Sequence, residues 1–448
     1  MSIPGKPKSI FGSPANASGK NSNITYLSTV IRLLTITNNP PSLIHFEALG
    51  CFFAKRFHDK TNVITALSAL VIIIFFIPYT ASGFAACGKL FNSLFGINYQ
   101  VAMMLSALLI VGYTITGGFN AVCVTDLVQS IVMTGALAIV LIYGISSAGG
   151  WTAVMDNAAA LPGYLSLTST FDVASGSEVK YNFLTIFSTA AWGLGYFGMP
   201  HILVRFMAIE DEKKLVLSRR IASVWVVIAM TAGILIGIVG LGMTKAGALE
   251  TLTGSNSETI IVRIAGIISQ HNALTALIAG IILAGILAAT MSTADSQMLA
   301  AASGVSQNIV HDFLKIKISE KTNLLIARLT IVGIAIVSIF LARNPNSSVF
   351  KIVSFAWAGF GGAFGAIVLC SLFWKRCNLA GAIAGIISGG ATVFIWKYLI
   401  RPLGGILDIY ELLPAFIVSL IFIIVVSLLT KAPDEEIVRE FEAASQKA

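Results

Sequence analysis

Residues 286–297 read ILAATMSTADSQ, and they continue an apolar run that begins near Ala273. An apolar run of this length is typical of a helix that crosses a lipid bilayer. Hydroxyl, carboxyl and amide side chains are costly at that depth, and those that occur there usually have a function. The polar residues of this segment are therefore the first candidates for a functional site.

The composition of the whole chain predicts a membrane protein. Of its 448 residues, 56% are hydrophobic and only 11% are charged, and the mean hydropathy is +0.86. Soluble proteins carry about 25% charged residues. Apolar runs of about 20 residues alternate with short polar gaps, whereas barrel strands would be about 10 residues long with alternating polarity. The fold class is therefore an all-α polytopic membrane protein.

The apolar runs predict about ten full spans and one partial span at 24–36. The full spans are 62–86, 99–117, 121–147, 182–200, 221–243, 273–300, 323–342, 349–374, 378–399 and 409–430. Residues 1–22 are polar and lack the apolar core of a signal peptide, so they predict a disordered tail. We expect one transmembrane helical domain over 23–430 and a cytoplasmic C-terminal tail over 431–448.

Lys and Arg are concentrated in alternate gaps, which indicates that those gaps are cytoplasmic. They include Lys55, Arg205, Lys213, Lys315 and Lys375. This pattern predicts a multi-pass plasma (inner) membrane protein with a cytoplasmic C-terminus, and it explains the net charge of +8 without a nucleic-acid partner. The five cysteines have no metal-type spacing and are interpreted as small core residues, not a disulfide framework.

A stripe of small and hydroxyl residues lies in the opening segment. Ala289, Ser292, Thr293 and Ser296 follow the spacing i, i+3, i+4, i+7, which places them on one helical face. One interpretation is that the hydroxyls bond back to carbonyls of their own helix. The other is half of a site for a hard cation, which prefers oxygen ligands. Asp295, on a neighbouring face, either pairs with a loop cation or forms part of an ion exit, and the sequence alone does not choose.

A second segment, AWGLGYFGMPHILVRF, covers residues 191–206. Gly193, Gly195 and Gly198 are followed by Pro200 inside an otherwise apolar span. A simple kink explains such a pattern. A broken helix is the alternative, in which unwound backbone holds a substrate or an ion near the bilayer midplane. Trp192 and Tyr196, one turn apart, then supply aromatic walls and a hydroxyl for a small zwitterion, although aromatic residues at this spacing often serve packing alone.

Two further polar residues lie within predicted spans. One Gly-rich segment, by contrast, contains no candidate for a binding or catalytic role. Tyr113 lies near the end of the span 99–117, and Asp126 lies about one turn into the next span. A carboxylate so close to the interface can also simply reach water. The segment SFAWAGFGGAFGAIVL, residues 354–369, is rich in Gly and Ala and predicts close helix packing.

Four segments resemble the sodium/solute symporter family, and most of all its bacterial sodium/proline branch. They are GLGYFGMPHILVRFMA (193–208), ILAATMSTADSQ (286–297), VSFAWAGFGGAFGAIVLCSLFW (353–374) and DIYELLPAFIVSLIFIIVVSLLTKAPDEEI (408–437). The resemblance runs from about Leu33 to the C-terminal tail. It implies an inverted-repeat (LeuT-like) sodium symporter fold that couples sodium entry to uptake of a small solute.

The resemblance also implies roles for single residues. It assigns sodium binding to Ala289, Ser292 and Thr293, and a role in the sodium pathway to Asp126. It assigns contact with the solute to Tyr113, Trp192, Tyr196 and Pro200. The implied partners are the sodium ion, proline or a similar small solute, and the lipid bilayer. No cofactor is implied, and sodium is the coupling ion.

The chain differs from the family at its N-terminal end. The family's first two spans and part of its third have no counterpart in this sequence, and the second of them is the first broken helix, whose carbonyls complete the sodium site. We therefore expect a fold that is incomplete at the N-terminus.

Three functions follow as expectations. The first is sodium-coupled symport of proline or a similar small amino acid into the cell. The second is a truncated, transport-inactive fragment of such a symporter, and the third is a membrane sensor or binding module, for which the short tail leaves little room. An enzyme is not expected, because no HExxH, GxSxG or paired-carboxylate arrangement occurs in a span.

Overall fold

The computed structural model describes residues 49–207, 209, 211 and 213–446, the side chains at 117–121, 445 and 446 excepted. The predicted polar tail at 1–22 and partial span at 24–36 lie outside these residues, as do the other residues before Leu49. Within them the α-helices are α1 (Leu49–Arg56), α2 (Val63–Phe95), α3 (Tyr99–Ser147), α4 (Trp151–Ala159), α5 (Phe183–Ala190), α6 (Trp192–Gly195), α7 (Pro200–Met207), α8 (Lys214–Lys245), α9 (Ile260–Ser269), α10 (Ala273–Ser303), α11 (Glu320–Ala342), α12 (Val349–Phe360), α13 (Ala366–Phe373), α14 (Leu379–Ile395), α15 (Leu412–Leu429) and α16 (Glu435–Gln446).

Shorter elements join or extend these helices. Wider π-helical turns cover Gly304–Phe313, Gly361–Gly365 and Trp396–Ile400, and 3₁₀ turns cover Tyr196–Gly198, Gly254–Thr259, Arg401–Leu403 and Gly405–Leu407. An antiparallel hairpin of β1 (Ser169–Asp172) and β2 (Ser177–Lys180) pairs Ser169 with Lys180. The hairpin lies in a polar gap, and it is a small addition to the predicted all-helical architecture.

The described part of the chain contains nine segments that are long and apolar enough to cross a membrane. They are Val63–Phe95, Tyr99–Thr116, Val122–Ser147, Lys214–Lys245, Ala273–Phe313, Glu320–Ala342, Val349–Phe373, Leu379–Leu403 and Leu412–Leu429. Each overlaps one predicted span. The remaining prediction, 182–200, is divided among short helices and does not form a continuous span.

Polar residues in the gaps determine where several spans begin. The side chains of Asn272, Ser319, Ser348 and Asn378 each accept a hydrogen bond from the backbone three residues later. These bonds satisfy amides that a helix start leaves without a partner. The predicted starts of these spans are correct to within a few residues because each gap ends in such a capping residue.

The two spans within α3 run in opposite directions. In the second span, Ala136 contacts Gly285 and Tyr143 contacts His271. The second span is therefore antiparallel to α10. At the start of the first span, Tyr99 packs against Gly88 near the end of α2. Thr80 bonds to Gln297 and Gly83 packs on Thr290, so α2 runs against α10. Later in the first span, Tyr113 bonds to Met291 of α10, so the first span runs along α10 and the second runs back. This reversal confirms the prediction of two spans.

Two buried clusters make up the core of the described residues, and α10 takes part in both. The larger cluster joins α1, α2, the first span of α3, the C-terminal part of α10 and α11 to α15. The smaller joins the second span of α3 to α4, α8, α9 and the start of α10. Ala279 belongs to the smaller cluster and Ala294 to the larger. The polar residues of α10 therefore lie where it passes into the larger cluster.

Candidate ion and solute site

The predicted cation face lies on the C-terminal half of α10. The Ser292 hydroxyl donates to the Ala289 carbonyl at 3.2 Å, and the Thr293 hydroxyl donates to the same carbonyl at 3.1 Å. Both side chains are half-buried. The hydroxyls therefore bond back to their own helix, the first of the two interpretations of this face.

Back-bonding leaves the hydroxyl oxygens able to meet a cation. Each hydroxyl has one hydrogen and two acceptor lone pairs, and the bond to Ala289 uses only the hydrogen. The lone pairs of Ser292 and Thr293 then point away from the carbonyl that they share. The two interpretations are therefore compatible, because the bond fixes the rotamers while the oxygens stay available.

A polar cluster surrounds the next turn of α10. Asp295 is fully buried and accepts hydrogen bonds from the Tyr113 hydroxyl and from the Ser296 amide. Arg205, on α7, donates through one amino group to Asp126 at 2.5 Å and to the Ser296 hydroxyl at 2.8 Å. Asp295 thus bonds to a tyrosine, whereas the nearby cation Arg205 bonds to Asp126.

The same cluster has one acceptor without a partner. Oδ1 of Asp126 is buried and makes no hydrogen bond to any described residue. Buried carboxylate oxygens are normally paired, and each exception needs an explanation. A cation that reaches this oxygen would meet a carboxyl group whose other oxygen is already held by Arg205.

The Gly-rich segment before Arg205 is a broken helix, and not a kinked one. After α5 and α6 the chain tightens into a 3₁₀ turn, and Met199 is extended at φ −79° and ψ 107°. Pro200, which has no amide hydrogen, then begins α7. The helical hydrogen-bond ladder therefore stops at Met199, which is why 182–200 is not a continuous span.

Two glycines allow this segment to pack against the α12–α13 region. A Cβ atom on Gly195 would lie 2.0 Å from the Trp357 indole nitrogen, and one on Gly198 would lie 2.3 Å from the Phe360 carbonyl oxygen. Real Cβ atoms do not approach so closely. The close packing predicted for 354–369 is confirmed, and part of it is made with the broken helix.

Aromatic rings line the break. Trp192 stacks on Trp357 with centroids 5.1 Å apart, and also on Phe350 and Tyr410 at 5.7 and 5.8 Å. Tyr196 meets Trp357 edge to face at 4.8 Å and keeps 46% of its surface exposed. These rings form a half-open apolar wall with one phenol facing outward.

A further pair of polar rings lies where α2 meets α7, and sequence reasoning missed it. Tyr79 of α2 packs edge-on against His201 of α7, with the ring centroids 6.1 Å apart. Nδ1 of His201 is buried without a hydrogen-bond partner among the described residues. The sequence feature that could have indicated this position is Pro78, a proline inside α2 next to Tyr79.

The predicted site residues thus fall into two groups. Trp192 and Tyr196 come together around Trp357, and buried Pro200 follows Tyr196 by four residues. Tyr113 does not join that group but bonds to Asp295 in the polar cluster.

Arg205 and Ser296 link the two groups, since Arg205 lies on the helix that continues the broken segment. The rest of the predicted cation face, Ala289, Ser292 and Thr293, lies one to two turns before Ser296 on α10.

The fold and this arrangement define a secondary transporter. The model of the sodium:solute symporter family matches residues 47–389, and the chain belongs to that family. It is a transporter and not an enzyme.

Two curated relatives and one solved structure show what the chain is similar to. It is 39% identical over 390 residues to the osmoregulated proline transporter OpuE of Bacillus subtilis (strain 168), covering 87% of this chain and 75% of the relative. It is 38% identical over 388 residues to the sodium/proline symporter of Staphylococcus aureus, covering 85% and 72%. A solved Na⁺-coupled sialic acid symporter, in a substrate-bound outward-open state, superposes with a TM-score of 0.67 at 19% identity, covering 92% of this chain and 84% of that one. The structural match confirms the LeuT-like symporter fold.

Proposed function

We propose that this chain carries proline, or a similar small amino acid, into the cell together with sodium across the plasma membrane. The observation that carries the proposal is the geometry of α10. It presents the hydroxyl face of Ser292 and Thr293 and, one turn later, bonds through Ser296 to the helix that continues the broken segment. A bound ion and a bound solute would thus act on elements that touch. The names of the two relatives support proline as the solute.

In this proposal sodium binds at Ala289, Ser292 and Thr293. Sodium is a hard cation, and hydroxyl and carbonyl oxygens are the ligands that suit it. Asp126 serves the sodium pathway, since its Oδ1 is an acceptor without a partner among the described residues.

The solute binds at the break. Trp192 and Tyr196 supply an apolar wall with one outward phenol, which suits a small zwitterion with an apolar ring. Pro200 holds the backbone open because it cannot continue the helical ladder. Tyr113 contacts the solute from the side of the polar cluster. Its hydroxyl bonds to Asp295 there.

Transport then follows alternating access. Sodium binding favours the outward-open state, the solute enters, and movement of the helices exposes both to the cytoplasm, where we place the C-terminal tail and α16. One charge that crosses 100 mV supplies about 2.3 kcal/mol. That energy is enough for roughly 40-fold accumulation before any sodium gradient is counted.

Uptake of labelled proline into proteoliposomes that contain the 448-residue chain tests the proposal. Vesicles with an inward sodium gradient should accumulate proline, and vesicles with potassium in its place should not. Competition by unlabelled small amino acids and by other solutes would define the substrate. Absence of uptake by a correctly inserted chain, for every solute tried, would contradict the proposal and favour the transport-inactive fragment.

A further inference from the structure

Trp357 of α12 fills the space between the two aromatic residues of the broken helix. Its ring is only 6% exposed, lies parallel to Trp192 at an angle of 13°, and meets Tyr196 nearly perpendicularly at 83°. The backbone of Gly195 passes beneath the same ring, with no room for a side chain. One indole thus contacts the segment at three successive points.

The indole nitrogen adds a directed bond to these contacts. Nε1 of Trp357 donates to the Trp192 carbonyl at 3.0 Å. The helix that begins at Trp192 is only four residues long, so its backbone has few partners of its own. A bond from a side chain 165 residues away therefore fixes the backbone at the start of the break.

We propose that Trp357 is a positioning residue for the solute site. It holds Trp192 and Tyr196 in the orientation in which they meet the solute, and it keeps the segment from rewinding into a regular helix. This inference rests on the proposed function, since it gives Trp357 its role through the two proposed solute contacts. It also gives the Gly-rich segment 354–369, interpreted from sequence as packing, a part in recognition.

The substitution Trp357→Phe separates the bond from the ring. Phenylalanine keeps an aromatic face against Trp192 but has no N–H, so the bond to the carbonyl is lost together with the packing of the smaller ring of the indole. A typical hydrogen bond contributes a factor of about five to an equilibrium. Trp357→Leu removes the ring as well, and aromatic pairs add roughly another factor of two to ten.

A matched control is Trp396, on the π-helical turn Trp396–Ile400. Trp396 is half-buried, and its Nε1 has no hydrogen-bond partner among the described residues. Trp396→Phe therefore makes the same chemical change without loss of a bond. It reports the effect of a tryptophan-to-phenylalanine change in a membrane helix as such.

Two measurements on the purified chain in liposomes test the proposal. The first is a kinetic assay of uptake, which gives the KM for proline, the maximal rate and the sodium concentration for half-maximal uptake. For Trp357→Phe we expect a KM about fivefold higher, with the maximal rate and the sodium dependence unchanged, and a larger rise for Trp357→Leu. The second is hydrogen–deuterium exchange of residues 192–199, which we expect to become about fivefold faster in Trp357→Phe and to stay unchanged in Trp396→Phe.

The outcomes distinguish this inference from the proposed function. Equal KM and equal exchange in Trp357→Phe and Trp396→Phe would overturn the positioning role. Parallel loss of maximal rate and sodium affinity would also overturn it, because that result indicates general damage. If the wild-type chain transports no solute, the proposed function fails, while the exchange measurement still decides whether Trp357 fixes the segment.

Discussion

Arg205 and Asp126 form an ion pair at 2.5 Å between α7 and the second span of α3. The same amino group of Arg205 reaches the Ser296 hydroxyl on α10, so three elements meet at one guanidinium. Asp126 has 11% of its side chain exposed, and its other oxygen has no partner among the described residues. One oxygen of the carboxyl group is thus held by Arg205, and the other is buried without a hydrogen-bond partner among the described residues.

This arrangement predicts opposite effects of two substitutions. Asp126→Asn removes the negative charge from the proposed sodium pathway and should raise the sodium concentration for half-maximal uptake about tenfold. Arg205→Gln removes a competing positive charge and should lower that concentration. Sodium titration of proline uptake measures both.

Asp156→Asn is the control for this pair, because Asp156 is an exposed aspartate on α4 outside the cluster. It should leave the sodium dependence unchanged. Equal sodium dependence in Asp126→Asn and the wild type would remove Asp126 from the pathway.

The two glycines of the 192–195 turn should differ sharply in their tolerance of a methyl group. Gly195→Ala would place Cβ 2.0 Å from the Trp357 ring, whereas Gly193→Ala would meet no atom within 4 Å. We expect Gly195→Ala to lose at least about 90% of uptake, since overpacking costs about 1–3 kcal/mol and here displaces a site element. Gly193→Ala should retain most activity and serves as the matched control. Similar activity in both variants would show that the turn does not need this close contact.

The sequence predicts the spans well, because apolar length and capping residues are local features. Val63–Phe95 and Leu412–Leu429 were recognisable from composition alone. The break before Pro200 was also visible, as a density of glycine and proline in an apolar run. The sequence did not distinguish a broken helix from a kinked one, and the extended backbone of Met199 in the structure does.

Long-range partners were not predictable, because hydropathy identifies which segments enter the membrane but not which side chains meet there. Tyr113 was assigned to the solute site, but its partner Asp295, 182 residues away, was not predicted. Arg205 was counted among loop cations, although it reaches Asp126 within a span. The partner of Trp357 was not predictable either, because its only polar group is one N–H and that group bonds to a backbone carbonyl.

The hydroxyl face of α10 gives a prediction about sodium alone. Ser292→Ala and Thr293→Ala each remove one oxygen from the proposed ion site, and each should raise the sodium concentration for half-maximal uptake about tenfold at unchanged maximal rate. The helix should persist, because alanine favours helix and the lost bonds run only to Ala289. Thr330→Ala on α11 is the control.

The Thr330 hydroxyl bonds back to Ile326 at 2.9 Å, so that substitution removes the same local interaction outside the proposed site. Its sodium dependence should match the wild type. If Thr293→Ala shifts the sodium dependence no more than Thr330→Ala, the hydroxyl serves only its own helix.

Glu258 should make the stability of the fold depend on pH. Burial opposes ionisation of its carboxyl, but hydrogen bonds from Lys89, from Ser348 and from the amides of Val349 and Phe350 outweigh that effect and lower its pKa below 4.5. A lowered pKa in the folded state stabilises the fold above the unfolded pKa, and the gain is lost as pH falls through the folded pKa. The melting temperature of the wild type should therefore drop between about pH 5 and about pH 3.

Glu258→Gln tests the sign of this effect. It should melt below the wild type at neutral pH, and the difference should shrink as acid protonates Glu258 in the wild type. Glu250→Gln is the control, since Glu250 is largely exposed and its pair with Arg263 at 3.4 Å is a surface contact of small value. A difference between Glu258→Gln and the wild type that stays constant across this pH range would show that the charge of Glu258 does not stabilise the start of α12.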